Sequence, residues 1–230
     1  MNHAHCLLAV SLLVTVGCAS VEGPAAPAMT QAAQAAFTPE RALAALREGN
    51  ERFVGGRTAH RDLRAQVRAT AAGQYPFASV VSCIDSRSAP ELVFDQGIGD
   101  IFVARVAGNF VNDDILGSLE FASRLAGSRL IVVLGHTSCG AIKGACDDAK
   151  MGNLTGLLAQ IRPAVLSVSE HGERSSKNAA FVEHVAEANV RLTVEAIRQR
   201  SAVLREMEQK GDIRIVGAML DIATGRVAWY

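Results

Sequence analysis

The stretch Val80-Val81-Ser82-Cys83-Ile84-Asp85-Ser86-Arg87 decides how this chain folds, together with a second one farther on, Val132-Val133-Leu134-Gly135-His136-Thr137-Ser138-Cys139-Gly140. Each is a short apolar run rich in β-branched residues, as a buried strand requires, and each stops at residues able to bind a metal or carry a proton. Two strands therefore deliver chemistry at their carboxyl ends. In an open parallel sheet that is where ligands gather, because the chain leaves the sheet there and helix N-termini point into the crevice. Cys83, His136 and Cys139 are expected to converge on one point.

Working outward, strands at Phe77–Cys83, Ile101–Val106, Arg129–Gly135 and Ile213–Ile222 alternate with helical segments, which argues for a parallel sheet with helices on its faces. Thr224-Gly225 turns the chain into an edge strand, Arg226–Tyr230. Thr38-Pro39-Glu40 reads as a helix start, with a hydroxyl cap, proline at the first position and an acid in the first turn; Leu43, Leu46 and Phe53 follow on one face. Further helices are expected over Arg61–Thr70, Pro90–Phe94, from the Asn112-Asp113-Asp114 cap to Leu125, and over Cys139–Ala149. Leu154–Val168 is a helix interrupted by Pro163. Lys177–Lys210 reads as one long helix with Phe181, Val185, Ala188 and Leu192 on its apolar stripe, ended by Gly211. The expected fold is α/β, a mainly parallel sheet of four strands with an antiparallel edge strand, flanked by helices.

The 230 residues are 49% hydrophobic and 20% charged, enough to bury one good core in a single domain. The formal net charge is zero and aromatics are 5%, so the chain has neither the basic surface nor the stacking platform that nucleic acid binding needs. Leu7 to Val16 is an apolar run of signal-peptide length ending at Gly17-Cys18-Ala19-Ser20. Residues 1–18 are read as an export signal, 19–37 as a flexible tether and 38–230 as a single folded domain, and export would place the protein in the periplasm or cell envelope. Gly17-Cys18 resembles a lipobox, making a lipid on Cys18 the one expected membrane contact; cleavage at Ala26-Pro27-Ala28 is the alternative.

Zinc favours thiolate and imidazole, and three protein ligands leave a fourth position for water or substrate. His136 and Cys139 stand at a strand end and helix start, and Cys83 comes from the other strand; the helix N-terminus is expected to favour the Cys139 thiolate. Asp85 is close enough in sequence to bind the metal itself or to accept a hydrogen bond from a metal-bound water. Arg87 is its natural partner, because a guanidinium grips a carboxylate bidentately. If the pair holds, the fourth position is open; if it breaks, Asp85 can take that position. Cys146 is read as packing, and Gly97-Ile98-Gly99, which precedes a strand, as a loop rather than a dinucleotide motif.

Cys83-Ile84-Asp85-Ser86-Arg87 with His136-Thr137-Ser138-Cys139-Gly140 resembles the zinc signature of the beta-class carbonic anhydrases, and the likeness continues through Glu91–Gly97 and Val103–Asn109. The resemblance implies one Zn(2+) per chain on Cys83, His136 and Cys139, with Asp85 and Arg87 as a catalytic dyad interconverting carbon dioxide and bicarbonate. It also implies a homodimer or higher homo-oligomer whose N-terminal helices wrap the partner, and it matches Gln74 to a substrate-binding amide. The same fold and ligands serve hydrolases of carbon disulfide or carbonyl sulfide; a non-catalytic exported zinc protein, locked by Asp85 on the metal, is the other alternative. Ser88 stands where the family usually has Val, which alters one apolar wall of the signature loop; Val80 stands where members with a noncatalytic bicarbonate site carry Trp, which argues against such control here, although Arg105 matches another residue of that site.

Overall fold

A computed structural model describes residues 24–169 and 172–230. The expected export signal, Cys18 and the first part of the tether lie outside the described residues. Strands β1 (Ala78–Ser82), β2 (Ile101–Arg105), β3 (Leu130–His136) and β4 (Arg214–Leu220) run parallel, and β5 (Val227–Trp229) pairs antiparallel with β4, in the order β2-β1-β3-β4-β5. The expected α/β architecture is what forms. Side chains alternate across a strand, so neighbouring residues of one apolar run serve opposite faces. Val81, Ile131, Val133 and Ile215 join one buried cluster with Phe181, Val185 and Ile197, while Val80, Val132, Leu134 and Val216 join another with Leu43, Leu46 and Phe94. A sheet covered on both sides explains why these strands are apolar throughout.

Helix α1 (Gln31–Ala35) was not expected, and it corrects the tether reading for residues 24–37. The small residues there contribute little bulk, but buried Gln34 donates through Nε2 to the carbonyls of Pro76 and Ala126, both at 2.7 Å, and Phe37 stacks on Phe77 with ring centroids 4.5 Å apart. Polar anchoring and one ring pair hold this stretch where apolar bulk does not. Helix α2 (Pro39–Val54) starts as expected, with Thr38 Oγ1 accepting from the Arg41 N–H at 3.2 Å. Helices α3 (Leu63–Thr70), α4 (Pro90–Val93) and α5 (Asp113–Glu120), the last continued by a π-helical turn at Phe121–Leu125, also fall near their expected places.

Helix α6 (Gly140–Cys146) follows the second ligand stretch, and α7 (Gly152–Ser167) continues through Pro163 instead of breaking there. Pro163 and Ala159 both sit on the exposed side, so water can reach the carbonyl that loses its helical partner. The expected long helix is in fact two, α8 (Ala179–Arg200) and α9 (Ala202–Gln209). At the break, Ser201 adopts extended backbone, caps α9 by accepting from the Leu204 N–H at 3.1 Å, and donates to Glu120 Oε1 at 2.5 Å. A hydroxyl able to cap competes with helix continuation, and the new direction turns Leu204 and Met207 into the core. Along α8 the buried stripe runs through Phe181, Val185, Asn189, Thr193 and Ile197; Leu192, expected on that stripe, is 40% exposed and Ala188 half-buried.

The end of α2 and the segment that follows it are fastened to the loop after α4 by Asp95, whose side chain is 2% exposed. It accepts from Arg52 Nε at 2.5 Å, from Arg61 and from the Ala59 N–H at 3.1 Å. Burial alone would push this carboxyl up; the hydrogen bonds from Arg52 and Arg61 outweigh burial and hold it below the usual range. A carboxyl depressed in the folded state stabilises the protein above its unfolded pKa of about 3.9, and that contribution fades as pH falls through the folded value. Asp95→Ala leaves Arg61 without its carboxylate in a mostly buried position and should cost about 3 kcal/mol, read as a lower urea midpoint at neutral pH, with the gap to the parent chain closing in acid.

Candidate metal centre

The site is built by strand register. Ser82 lies opposite Leu134, so β1 ends where β3 still has two residues to run, and Cys83 emerges beside His136. Cys139 caps α6. Between the two ligands of β3 and α6 the chain must reverse at once, and Ser138 does so at φ +55°, in the left-handed region. That turn is tied down on two sides. The Ser138 N–H donates to Glu183 Oε1 on α8 at 2.9 Å, and Thr137 exchanges bonds with the end of β4, its N–H to the Leu220 carbonyl at 2.9 Å and its Oγ1 accepting from the Ile222 N–H at 3.0 Å.

All three predicted ligands are thus brought together. Their donor atoms lie within 4.8 Å of one another, and Cys83, His136 and Cys139 are respectively 4%, 1% and 1% exposed. The two sulfurs are 4.0 Å apart. Zinc–sulfur bonds of about 2.3 Å in tetrahedral geometry put two ligand sulfurs about 3.8 Å apart, so the pair has the spacing zinc asks for. His136 Nδ1 is 2.9 Å from the Thr137 carbonyl, which fixes the proton on Nδ1 and leaves Nε2 its lone pair. Among the described residues that Nε2 is buried with no hydrogen-bond partner. Two soft donors and an unpartnered imidazole nitrogen facing one point fit a zinc ion.

The protonation of the cluster shows the same bias. Cys83 is lowered by its hydrogen bond with Cys139, against burial, with help from His136 and from the Gly108 N–H at 3.4 Å. Cys139 is raised in turn, since it keeps the proton the two sulfurs share and burial adds to the effect; the Ala141 and Ile142 N–H groups of α6 favour its thiolate but are outweighed. The helix N-terminus thus favours the Cys139 thiolate, as its place in the sequence suggests, but the neighbouring Cys83 and burial outweigh it. Burial opposes the His136 imidazolium, yet the adjacent Cys83 sulfur raises it. A divalent cation here displaces these protons.

At the rim stands the dyad. Arg87 Nε donates to Asp85 Oδ1 at 2.9 Å and Nη2 to Oδ2 at 2.7 Å, and the Arg87 N–H adds a third bond to Oδ1 at 3.0 Å. Arg87 holds the Asp85 carboxyl well below the usual range. Asp85 Oδ2 remains 3.9 Å from His136 Nε2, beside the centre while paired away from it. Gln74 is not brought here. It is exposed in the loop that enters β1, at the opposite end of that strand from Cys83. Cys146 packs half-buried against the core, as read from the sequence.

Sequence reasoning missed three supports. Gly108, at φ +81°, brings its N–H to the Cys83 sulfur, and a Cβ there would lie 2.4 Å from Ile161 Cδ1. Asn189 Nδ2 holds the Gly108 carbonyl at 2.7 Å, and Glu183 holds the Ser138 turn. A glycine just after a strand was visible in Val106-Ala107-Gly108-Asn109, but nothing in the sequence pairs α8 residues with these loops.

Residues 78–227 match the family model described as "Carbonic anhydrase". "Carbonic anhydrase 2" of Mycobacterium tuberculosis (strain ATCC 25618 / H37Rv) is 40% identical over 194 residues, covering 82% of this chain and 91% of the relative. "Carbonic anhydrase" of Mycolicibacterium smegmatis is 37% identical over 195 residues, covering 82% and 92%. Among solved structures, the beta-carbonic anhydrase CafA of Aspergillus fumigatus superposes with a TM-score of 0.63 at 26% identity, over 83% of this chain and 89% of that one. With strand order, donor cluster and sequence all agreeing, the chain belongs to the beta class of the carbonic anhydrase family, enzymes that interconvert carbon dioxide and bicarbonate.

Proposed function

We propose that Cys83, His136 and Cys139 hold one zinc ion per chain and that Asp85, aimed by Arg87, orients the nucleophile in carbon dioxide hydration. The observation that carries this reading is the Asp85–Arg87 fork, 2.7 and 2.9 Å, standing beside a buried donor triad with its carboxylate turned aside. Bound zinc supplies a water ligand whose pKa falls to about 7, and hence a nucleophile at neutral pH. The ionised Asp85 offers only acceptor oxygens, so it takes a hydrogen bond from the attacking group and fixes which lone pair faces the substrate. Because Arg87 depresses its pKa, Asp85 stays ionised through the neutral range and does not itself gate activity there. Losing Arg87 frees the carboxylate to compete for the fourth metal position.

The working unit is a homo-oligomer on this reading. β2 is one of the two edge strands of the sheet, and a cleft of about 820 Å³ lined by Phe102, Ala104, Leu119 and Phe121 runs along it. Phe121 and Leu125 are 51% and 76% exposed on that side. An open strand edge next to exposed apolar residues is a surface a second copy would cover. Gln74, too far from the centre within its own chain, acts on substrate only from such a copy. Export rests on the apolar run Leu7 to Val16, and no helix among the described residues is long and apolar enough to cross a membrane.

Three outcomes test the reading. Cys139→Ser should lose stoichiometric zinc by elemental analysis. Asp85→Ala should keep one zinc per chain while kcat/KM for carbon dioxide falls by about 10² to 10⁴; wild-type turnover in that variant would remove Asp85 from the mechanism. Phe121→Glu, placing a charge on the β2 side, should shift the sedimentation coefficient toward monomer, and an unchanged value would move the interface elsewhere.

A further inference from the structure

We propose that Ser88 and Arg105 form a clamp on the backbone carbonyls of Cys83 and Asp85, making them positioning residues for the dyad. The loop after β1 must carry a metal ligand and, two residues on, a carboxylate whose reach decides between orienting a nucleophile and occupying the metal. A side chain can be aimed only as well as its backbone is fixed. Here the Asp85 carbonyl accepts three bonds, from the Ser88 N–H at 3.0 Å, the Ser88 hydroxyl at 3.0 Å and Arg105 Nη2 at 2.6 Å. The Cys83 carbonyl accepts from Arg105 Nε at 2.9 Å. One guanidinium therefore spans the carbonyl of a ligand and the carbonyl of the dyad.

The position of Arg105 follows from the sheet. It is the last residue of β2, opposite Ser82 in register, so its side chain extends across the loop that starts at Cys83. Among the described residues it forms no ion pair; both ends of its fork go to backbone oxygens. Ser88 is fully buried, and its own carbonyl accepts from the Ser82 hydroxyl at 3.5 Å. In a buried position a hydroxyl needs partners, and the loop carbonyls supply them. A valine at this point would fill the space but donate nothing, whereas the serine supplies a bond to the residue that must be aimed.

The clamp opposes release of Asp85. Any movement of the Cys83–Asp85 backbone breaks the Ser88 hydroxyl bond or the Arg105 bridge, so these bonds add to the Arg87 fork in fixing where the carboxylate stands. The proposal rests on Asp85 being the group that orients the nucleophile, and the test separates the two ideas.

Ser88→Val and Ser88→Thr are nearly isosteric and differ in the hydroxyl, so any overpacking is common to both. Each is compared with Ser88→Ala, Arg105→Lys, Asp85→Ala and the parent chain, all at one zinc per chain, for kcat, KM, zinc affinity by chelator competition and thermal midpoint. We expect Ser88→Val, Ser88→Ala and Arg105→Lys to lose about tenfold in kcat, the scale on which outer supports act on a metal site, with KM within twofold of the parent chain (~2-fold). Ser88→Thr should recover most of the loss, and methylguanidinium added to Arg105→Ala should restore part of its kcat. Equal kcat in Ser88→Val and Ser88→Thr, or losses that follow the thermal midpoint, would overturn the clamp while an inactive Asp85→Ala leaves the dyad standing. A fully active Asp85→Ala would overturn both.

Discussion

The in-register parallel pairing of β1 with β3 is the constraint on which everything else depends. It sets Ser82 against Leu134 and so decides that Cys83 leaves the sheet beside His136. A slip of one residue would turn every side chain of the strand to the other face, removing Val81 from one core and Val80 from the other, and would carry Cys83 away from the histidine. Packing on both faces therefore enforces the metal geometry. The catalytic spacing is guarded by hydrophobic burial on both faces of the sheet.

Around that fixed pair, the loops are held by backbone bonds rather than by bulk. Glu183 takes the Ser138 N–H in the left-handed turn, Thr137 locks onto the end of β4, and Arg105 with Ser88 grips the loop after β1. Gly108 approaches the Cys83 sulfur through a position where a side chain would collide with Ile161. Such outer contacts orient the donors of a metal site, and their loss alters affinity or rate without touching a ligand.

Strands and ligands were legible because their signals are local: β-branched apolar runs that end in Cys or His announce both a strand and a site. The breaks in the helices were not, since whether Ser201 caps a new helix or continues an old one depends on Glu120 and on where Leu204 can be buried. The packing of residues 24–37 escaped for a similar reason. Gln34 gains its hold from the carbonyls of Pro76 and Ala126, far along the chain, and composition cannot register such partners. Gln74 shows the limit from the other side, as a motif match places a residue type but not the distance between two ends of a strand.

The central claim is that the buried triad, with Asp85 held aside by Arg87, leaves the metal able to turn over carbon dioxide. Stopped-flow hydration by protein carrying one zinc per chain, followed across roughly pH 6.5 to 9, tests it most directly. The account predicts hydration that rises with pH as the zinc-activated water, with a pKa of about 7, deprotonates. Full zinc occupancy with no hydration at any pH in that range would contradict it.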